Sequence, residues 1–188
     1  FLAKYLIAIE PQLANKITFI DGENSELRYR GYDIADLAGK HSFLDVSYLL
    51  MRGKLPTEEA SKNFDLEIRH RSFLNEGIIR LFEALPDGAH PMATMGAATM
   101  ALSAFYKDHL HLEDENAFKM MRRRILAKMP VIAAMAYRNS IGTPLIYPDV
   151  NRYFTENFLY MLRAYPGGRM KYLGNGQNDE IKQVEIDA

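Results

Sequence analysis

The side chains able to do chemistry in this sequence of 188 residues are few in kind. It contains no cysteine, so a thiol nucleophile, a thiolate-bound zinc and a disulfide framework are excluded together. The histidines are His41, His70, His90, His109 and His111. His109 and His111 are separated by one residue, which on a helix turns them apart, and no third ligand stands at a metal-binding spacing, so no metal site is expected. His90 precedes Pro91 and is placed to cap backbone N–H groups where a helix begins. The glycines between Gly168 and Gly176 lack both a preceding strand and a following Lys-Ser/Thr pair, so they do not form a phosphate loop. No grouping marks a general base, a nucleophile or an oxyanion hole, and no catalytic residue is assigned.

The cations are more informative. Arg124 and Lys128 lie four apart and share a helical face, where like charges repel by a few tenths of a kcal/mol unless an anion joins them. Such a pair suits phosphate. Arg69-His70-Arg71 adds a second local concentration of positive charge, and a solvated cationic face is the plainer alternative for both. Lys and Arg number 23 against 24 acidic residues, a formal net charge of -1, so the bulk field attracts neither nucleic acid nor anionic lipid. Any anion site must be local.

These groups need a scaffold, and the composition supports one: 48% apolar and 25% charged residues are ordinary for a globular domain. The longest apolar runs, such as Val131–Ala136, fall far short of the roughly 20 residues that span a bilayer. The opening Phe1–Glu10 is too short and too interrupted by charge for a signal peptide, so a reducing, cytoplasmic setting is expected. Ile17-Thr18-Phe19-Ile20, the turn former Asp21-Gly22 and Leu27-Arg28-Tyr29-Arg30 predict a small β-hairpin. Beyond Gly31 the period changes to 3.6, and everything that follows is expected to be helical. The domain reading is therefore an N-terminal segment over 1–32 and a helical part over 33–188, with no internal repeat and no linker.

Asp33 is placed to cap the first helix, Ser42-Phe43-Leu44-Asp45 has the form of a capping box, and Gly53 should stop the helix it opens. Pro56-Thr57 starts a longer helix with Phe64, Leu66 and Ile68 as its apolar positions. Asn75–Leu85 is amphipathic and ends at Pro86-Asp87-Gly88. Met92–Ala104 is nearly free of charge and should be buried on most sides. Asp114 opens a basic helix, Pro130 is expected to end it and restart a second charge-poor helix over Val131–Tyr137, and Asn151–Tyr165 reads as one more. Glu180–Ala188 reads as the start of a helix.

The small residues of the two charge-poor helices allow close backbone approach, either as central helices of one monomer or as a subunit interface, and periodicity alone does not choose.

Taken in order, Lys16–Gly22, Arg30-Gly31-Tyr32-Asp33-Ile34, Leu55-Pro56-Thr57, His90-Pro91-Met92, Ala101–Tyr106, Lys128-Met129-Pro130, Ser140-Ile141-Gly142 and Asn157-Phe158-Leu159 resemble the opening of a citrate synthase. The resemblance runs from about residue 15 to residue 165. It implies a mainly α fold, this segment being the front of the large domain, truncated before the catalytic motifs. It implies an acyltransferase that condenses acetyl-CoA with oxaloacetate to citrate and CoA in the citric acid cycle, with no cofactor required and acetyl-CoA as substrate. The segment alone is then expected to be inactive. Helices 92–106 and 129–141 would pair subunits of a homodimer or hexamer, which favours the interface reading. The NADH-inhibited bacterial branch carries a surface nucleotide site whose pattern is similar to Arg69, His70, Tyr106, Arg124 and Lys128 here, which makes NADH an expected allosteric inhibitor. Arg71-Ser72 stands where regulated members can carry Thr-Met, and Gly167 where some carry a reactive Cys. A 2-methylcitrate synthase, acting on propionyl-CoA, and a non-catalytic helical module for dimerisation or nucleotide binding are the alternatives.

Overall fold

The computed structural model describes residues 17–107 and 113–164. Contacts divide the chain into two compact units, Phe1–Leu66 and Glu67–Ala188. In the first, β1 (Thr18–Asp21), β2 (Glu26–Tyr29) and β3 (Tyr32–Asp33) form an antiparallel sheet in that order. Thr18 faces Tyr29 and Asp21 faces Glu26, as the alternating β-branched and aromatic residues require. The Asp21 carboxylate accepts the Glu23 and Asn24 N–H groups, each at 3.1 Å, and closes the turn. Those bonds and one from the Asn24 amide, the largest influence, hold its pKa below the usual carboxylate value.

The third strand corrects the expectation of helix alone beyond Gly31. Arg30 and Gly31 both have positive φ, 52° and 88°, as a two-residue hairpin turn of type I′ requires, and Tyr29 pairs Tyr32 across it. Arg30 adopts this conformation without the freedom of glycine. Its guanidinium donates to the Leu50 carbonyl from Nε at 3.1 Å and Nη2 at 2.7 Å, which offsets local strain with a tertiary tie.

Asp33 caps α1 (Ile34–Leu37) by accepting the Ala35 N–H. Ser42 and Asp45 form the reciprocal capping box of α2 (Phe43–Arg52), and Gly53 stops it in the left-handed region at φ 83°. In α3 (Glu58–His70) Phe64 and Ile68 are buried and Tyr48 meets the Phe64 ring edge-on at 5.4 Å, whereas Leu66 is exposed, against expectation. Leu66 lies two positions from both buried residues, and two positions on a helix is more than half a turn away.

The second unit is built on α4 (Glu76–Ala84), α5 (Pro91–Phe105), α6 (Glu115–Ser140) and α7 (Phe154–Arg163). Its core joins Ile78, Ile79 and Phe82 of α4, Ala98 and Leu102 of α5, Val131, Ile132 and Met135 of α6, and Met161 of α7. Two expectations about helix boundaries fail here. Pro130 does not divide α6, which runs unbroken through it. A proline inside a helix costs about 3 kcal/mol through its missing N–H and its ring, and the burial of Val131, Ile132, Ala134, Met135 and Ala136 just beyond outweighs that. The last helix begins at Phe154 rather than Asn151. The Asp149 carboxylate accepts both the Asn151 N–H at 2.9 Å and its side-chain amide at 3.1 Å, and this local turn competes with helix.

The helix α5 departs from expectation most. Only Thr94, Ala98 and Leu102 are buried, a single stripe at i, i+4 and i+8, while Met92 is 66% exposed and Met100 75%. Tyr165, the Gly168–Gly176 glycines, Gly167, His109, His111 and the helix expected over Glu180–Ala188 lie outside the described residues.

Candidate functional site

Tyr106 follows directly on α5, whose last turn it caps, while Arg124 and Lys128 project from one face of α6. The α5–α6 packing brings the three together. The Arg124 guanidinium lies 4.4 Å from the centre of the Tyr106 ring and the Lys128 Nζ 5.7 Å from it, so one ring carries two cations. Arg124 Nη1 is buried without a hydrogen-bond partner, as is Arg122 Nε, whose guanidinium sits 4.6 Å from the Phe118 ring.

Lys128 is 4% exposed. Its Nζ donates to the Arg71 carbonyl at 2.9 Å and also to the Phe73 carbonyl, two oxygens released where the chain leaves α3. Burial, then the neighbouring charges of Arg124 and Arg71, bring its pKa down to about 8. The Glu67 carboxylate accepts Arg71 Nε at 3.0 Å and Arg123 Nη1 at 2.8 Å, tying the last turns of α3 to α6. Arg71, Arg123, Arg124 and Lys128 thus gather around the Glu67 carboxylate, and Glu115 lies within electrostatic reach of Arg122.

Of the residues singled out from sequence, the structure brings Tyr106, Arg124 and Lys128 into one cluster. Arg69 lies elsewhere along the same junction: its Nη1 donates to the Val150 carbonyl at 3.2 Å and its guanidinium is 5.4 Å from the Tyr153 ring. His70 is exposed at the end of α3. His90 caps α5, its Nδ1 accepting the Met92 N–H at 3.2 Å. Glu67 and Arg123 were not anticipated. The Glu67–Arg71 spacing of four is a readable ion-pair signal, but the partnership with Arg123 crosses 56 residues and has no local trace.

The cluster can hold an anion and contains no nucleophile poised beside a base. Among the described residues no group of three His, Cys, Asp or Glu side chains is placed to bind a metal. Among them, too, no helix is long and apolar enough to cross a membrane.

The fold and this cation-lined junction place the chain among mainly helical proteins with a small antiparallel sheet. Residues 11–184 match the family model described as citrate synthase, C-terminal domain, and the chain belongs to the citrate synthase family. It is 43% identical over 175 residues to a citrate synthase of Helicobacter pylori, covering 93% of this chain and 41% of that protein. The chain therefore spans about two fifths of the length of that curated relative. Among solved structures it is similar to citrate synthase from Pyrobaculum aerophilum, with a TM-score of 0.72 and 31% identity over 79% of this chain and 39% of that one. It is likewise similar to citrate synthase from Thermotoga maritima, with a TM-score of 0.64 and 30% identity over 79% and 38%.

Proposed function

We propose that the protein to which this chain belongs is a citrate synthase, condensing acetyl-CoA with oxaloacetate to citrate and CoA. The 43% identity over 175 residues carries this reading, because the match runs along nearly the whole chain rather than through one motif. The chain supplies scaffold, subunit contacts and a regulatory site, and the groups that move protons belong to the rest of the enzyme. The full-length protein should release CoA when given acetyl-CoA and oxaloacetate, and the segment 1–188 alone should not. Turnover by the segment would sink this division of labour, and a clear preference of the whole enzyme for propionyl-CoA would make it a 2-methylcitrate synthase.

The subunit contact is assigned to helices 92–106 and 129–141, in the second through the exposed Tyr137 and Ile141, since Val131–Ala136 lie in the core of this chain. The exposed side of α5 supports it: Met92, Ala93, Gly96, Ala97, Met100 and Ala104 make a charge-free strip of small and flexible side chains. A two-fold axis presents such a strip to its own copy. The protein should sediment as a dimer or a higher homo-oligomer, and a monomeric enzyme of full activity would remove the assignment.

The allosteric reading assigns NADH to Arg69, His70, Tyr106, Arg124 and Lys128. The unpartnered Arg124 Nη1 beside an aromatic ring supports it, since a guanidinium in that state gains most from a phosphate oxygen. Titrating NADH into the full-length enzyme and its Arg124→Ala variant tests it, and equal affinity in the two would end it.

A further inference from the structure

The helix α6 outruns its neighbour α5, being 26 residues long against 15. The two run antiparallel: the Asn139 amide donates to the Pro86 carbonyl at 3.5 Å just before α5, and the Thr99 hydroxyl to the Met129 sulfur at 3.6 Å. Because α5 ends at Phe105, opposite Arg124, the residues of α6 before Arg124 extend past it. Along this overhang two large apolar side chains, Phe118 and Ile125, are each 41% exposed.

They belong to a pattern. Glu115, Phe118, Arg122, Ile125 and Met129 recur at alternating steps of three and four, the spacing that lays side chains along a seam meeting another helix. At Met129 that seam is covered by α5 through Thr99, so its open part is 115–125. The open part is also polarised. Acidic Glu113, Asp114 and Glu115 stand at its start, and basic Arg122 and Arg123 follow further along. The Arg122 guanidinium lies 4.6 Å from the Phe118 ring, and its Nε is buried with no hydrogen-bond partner among the described residues. The Glu115 carboxylate accepts Lys119 Nζ at 2.7 Å, yet its side chain is 78% exposed and has room for a second cation.

We propose that the first half of α6 is a docking surface for a second copy of this chain, packed antiparallel through Phe118 and Ile125, with Glu115 of each copy set towards Arg122 of the other. A two-fold axis beside Met120 brings the acidic start of each helix to the basic stretch of its mate, so one patch complements itself. Phe118 then falls opposite the second copy's Arg122, and each ring is offered a cation across the axis as well as along its own helix. So short a seam buries less than the roughly 1,000 Å² that a lasting contact needs by itself. The proposal therefore rests on the reading of α5 as a subunit contact: each dimer formed there presents two α6 seams, and a closed assembly of dimers engages both.

Sedimentation of the full-length protein tests this. Wild type should form species larger than a dimer, which dissociate to dimers as salt is raised. Phe118→Asp, Glu115→Arg and Arg122→Glu should each remove every species above the dimer, and the double variant Glu115→Arg/Arg122→Glu should restore them. Larger species that survive Phe118→Asp, or a double variant that recovers none, would overturn the proposal.

Met100→Lys, on the outer side of α5, separates the two contacts. A wild-type dimer split by Met100→Lys but not by Phe118→Asp would keep the α5 contact and remove the α6 one, a dimer split by Phe118→Asp alone would do the reverse, and a wild-type monomer would remove both. Far-UV circular dichroism of the variants gives the remaining outcome: a Phe118→Asp protein that no longer folds would place Phe118 inside the subunit and overturn the proposal.

Discussion

The helix α5 and the second half of α6 are alike in sequence and opposite in fate. Both are poor in charge and rich in alanine and methionine. In α6 the burial is nearly complete, with Ile132, Ala134, Met135 and Ala136 each at 0% exposure, because α4, α5 and α7 all pack against it. In α5 burial is confined to the Thr94, Ala98 and Leu102 stripe, because α4 and α6 cover one side only. An absence of charge therefore says that a helix avoids water, not which surface removes it. The C-terminal portion of α6 is core of this chain, and the outer side of α5 is apolar surface that the described residues leave uncovered.

The contrast can be broken most severely at its buried end. Met135→Ala in the full-length protein should cost about 2–5 kcal/mol in chemical denaturation, as a methionine does when truncated inside a packed core. Met100→Lys, at a position 75% exposed, should change the stability of the subunit itself by no more than about 0.5 kcal/mol. Its effect should appear in sedimentation as a shift towards monomer. If Met100→Lys unfolded the protein while Met135→Ala did not, the assignment of core and surface would be reversed.

The pH dependence of stability sharpens the contrast within α6. The native pKa of Lys128 lies near 8, below the ordinary lysine value of 10.5, so between those values the unfolded chain binds the extra proton. Stability contributed at this residue then rises with pH across about 8 to 10.5, and its penalty is present in full below that window. Compared with wild type, Lys128→Gln should lack this rise in denaturation midpoints measured from about pH 7.5 to 10. A parallel pH profile for the two proteins would contradict it.

Smaller effects are expected at the ends of α5. His90→Ala removes the acceptor for the Met92 N–H and should cost about 0.5–1 kcal/mol, readable as a lower thermal midpoint. Gly77→Ala should be close to neutral. A Cβ there would come within 2.6 Å of the outer edge of the Phe105 ring, but that ring is partly exposed and can swing away. The gain in helix propensity, about 1 kcal/mol, offsets the displacement, and a change in the resonances of Phe105 without a change in stability is the expected result.

Local signals were legible wherever a short stretch of chain decides its own conformation. The hairpin over residues 18–29, the Ser42–Asp45 capping box, the Gly53 stop and the Asp33, His90 and Asp114 caps could all be read from residue types a few positions apart. The failures were of another sort. Pro130 reads locally as a break, and packing around Val131–Ala136 carries the helix through it. Arg30 in the left-handed region has no glycine to announce it, and its support comes from Leu50. For the candidate site, the shared face of Arg124 and Lys128 was visible in their spacing and Tyr106 entered through the family resemblance alone, while the carbonyls that occupy Lys128 had no local trace.

The sequence by itself determined the family, the helical character and the cationic composition of the junction, because residue order, periodicity and charge are properties of the chain as a string. Tertiary structure alone decided which charge-poor helix is core, and that Lys128 is spent on two main-chain carbonyls while Arg124 lies against the Tyr106 ring. Both depend on what lies across from a side chain, and distant segments meet there only after the chain has folded.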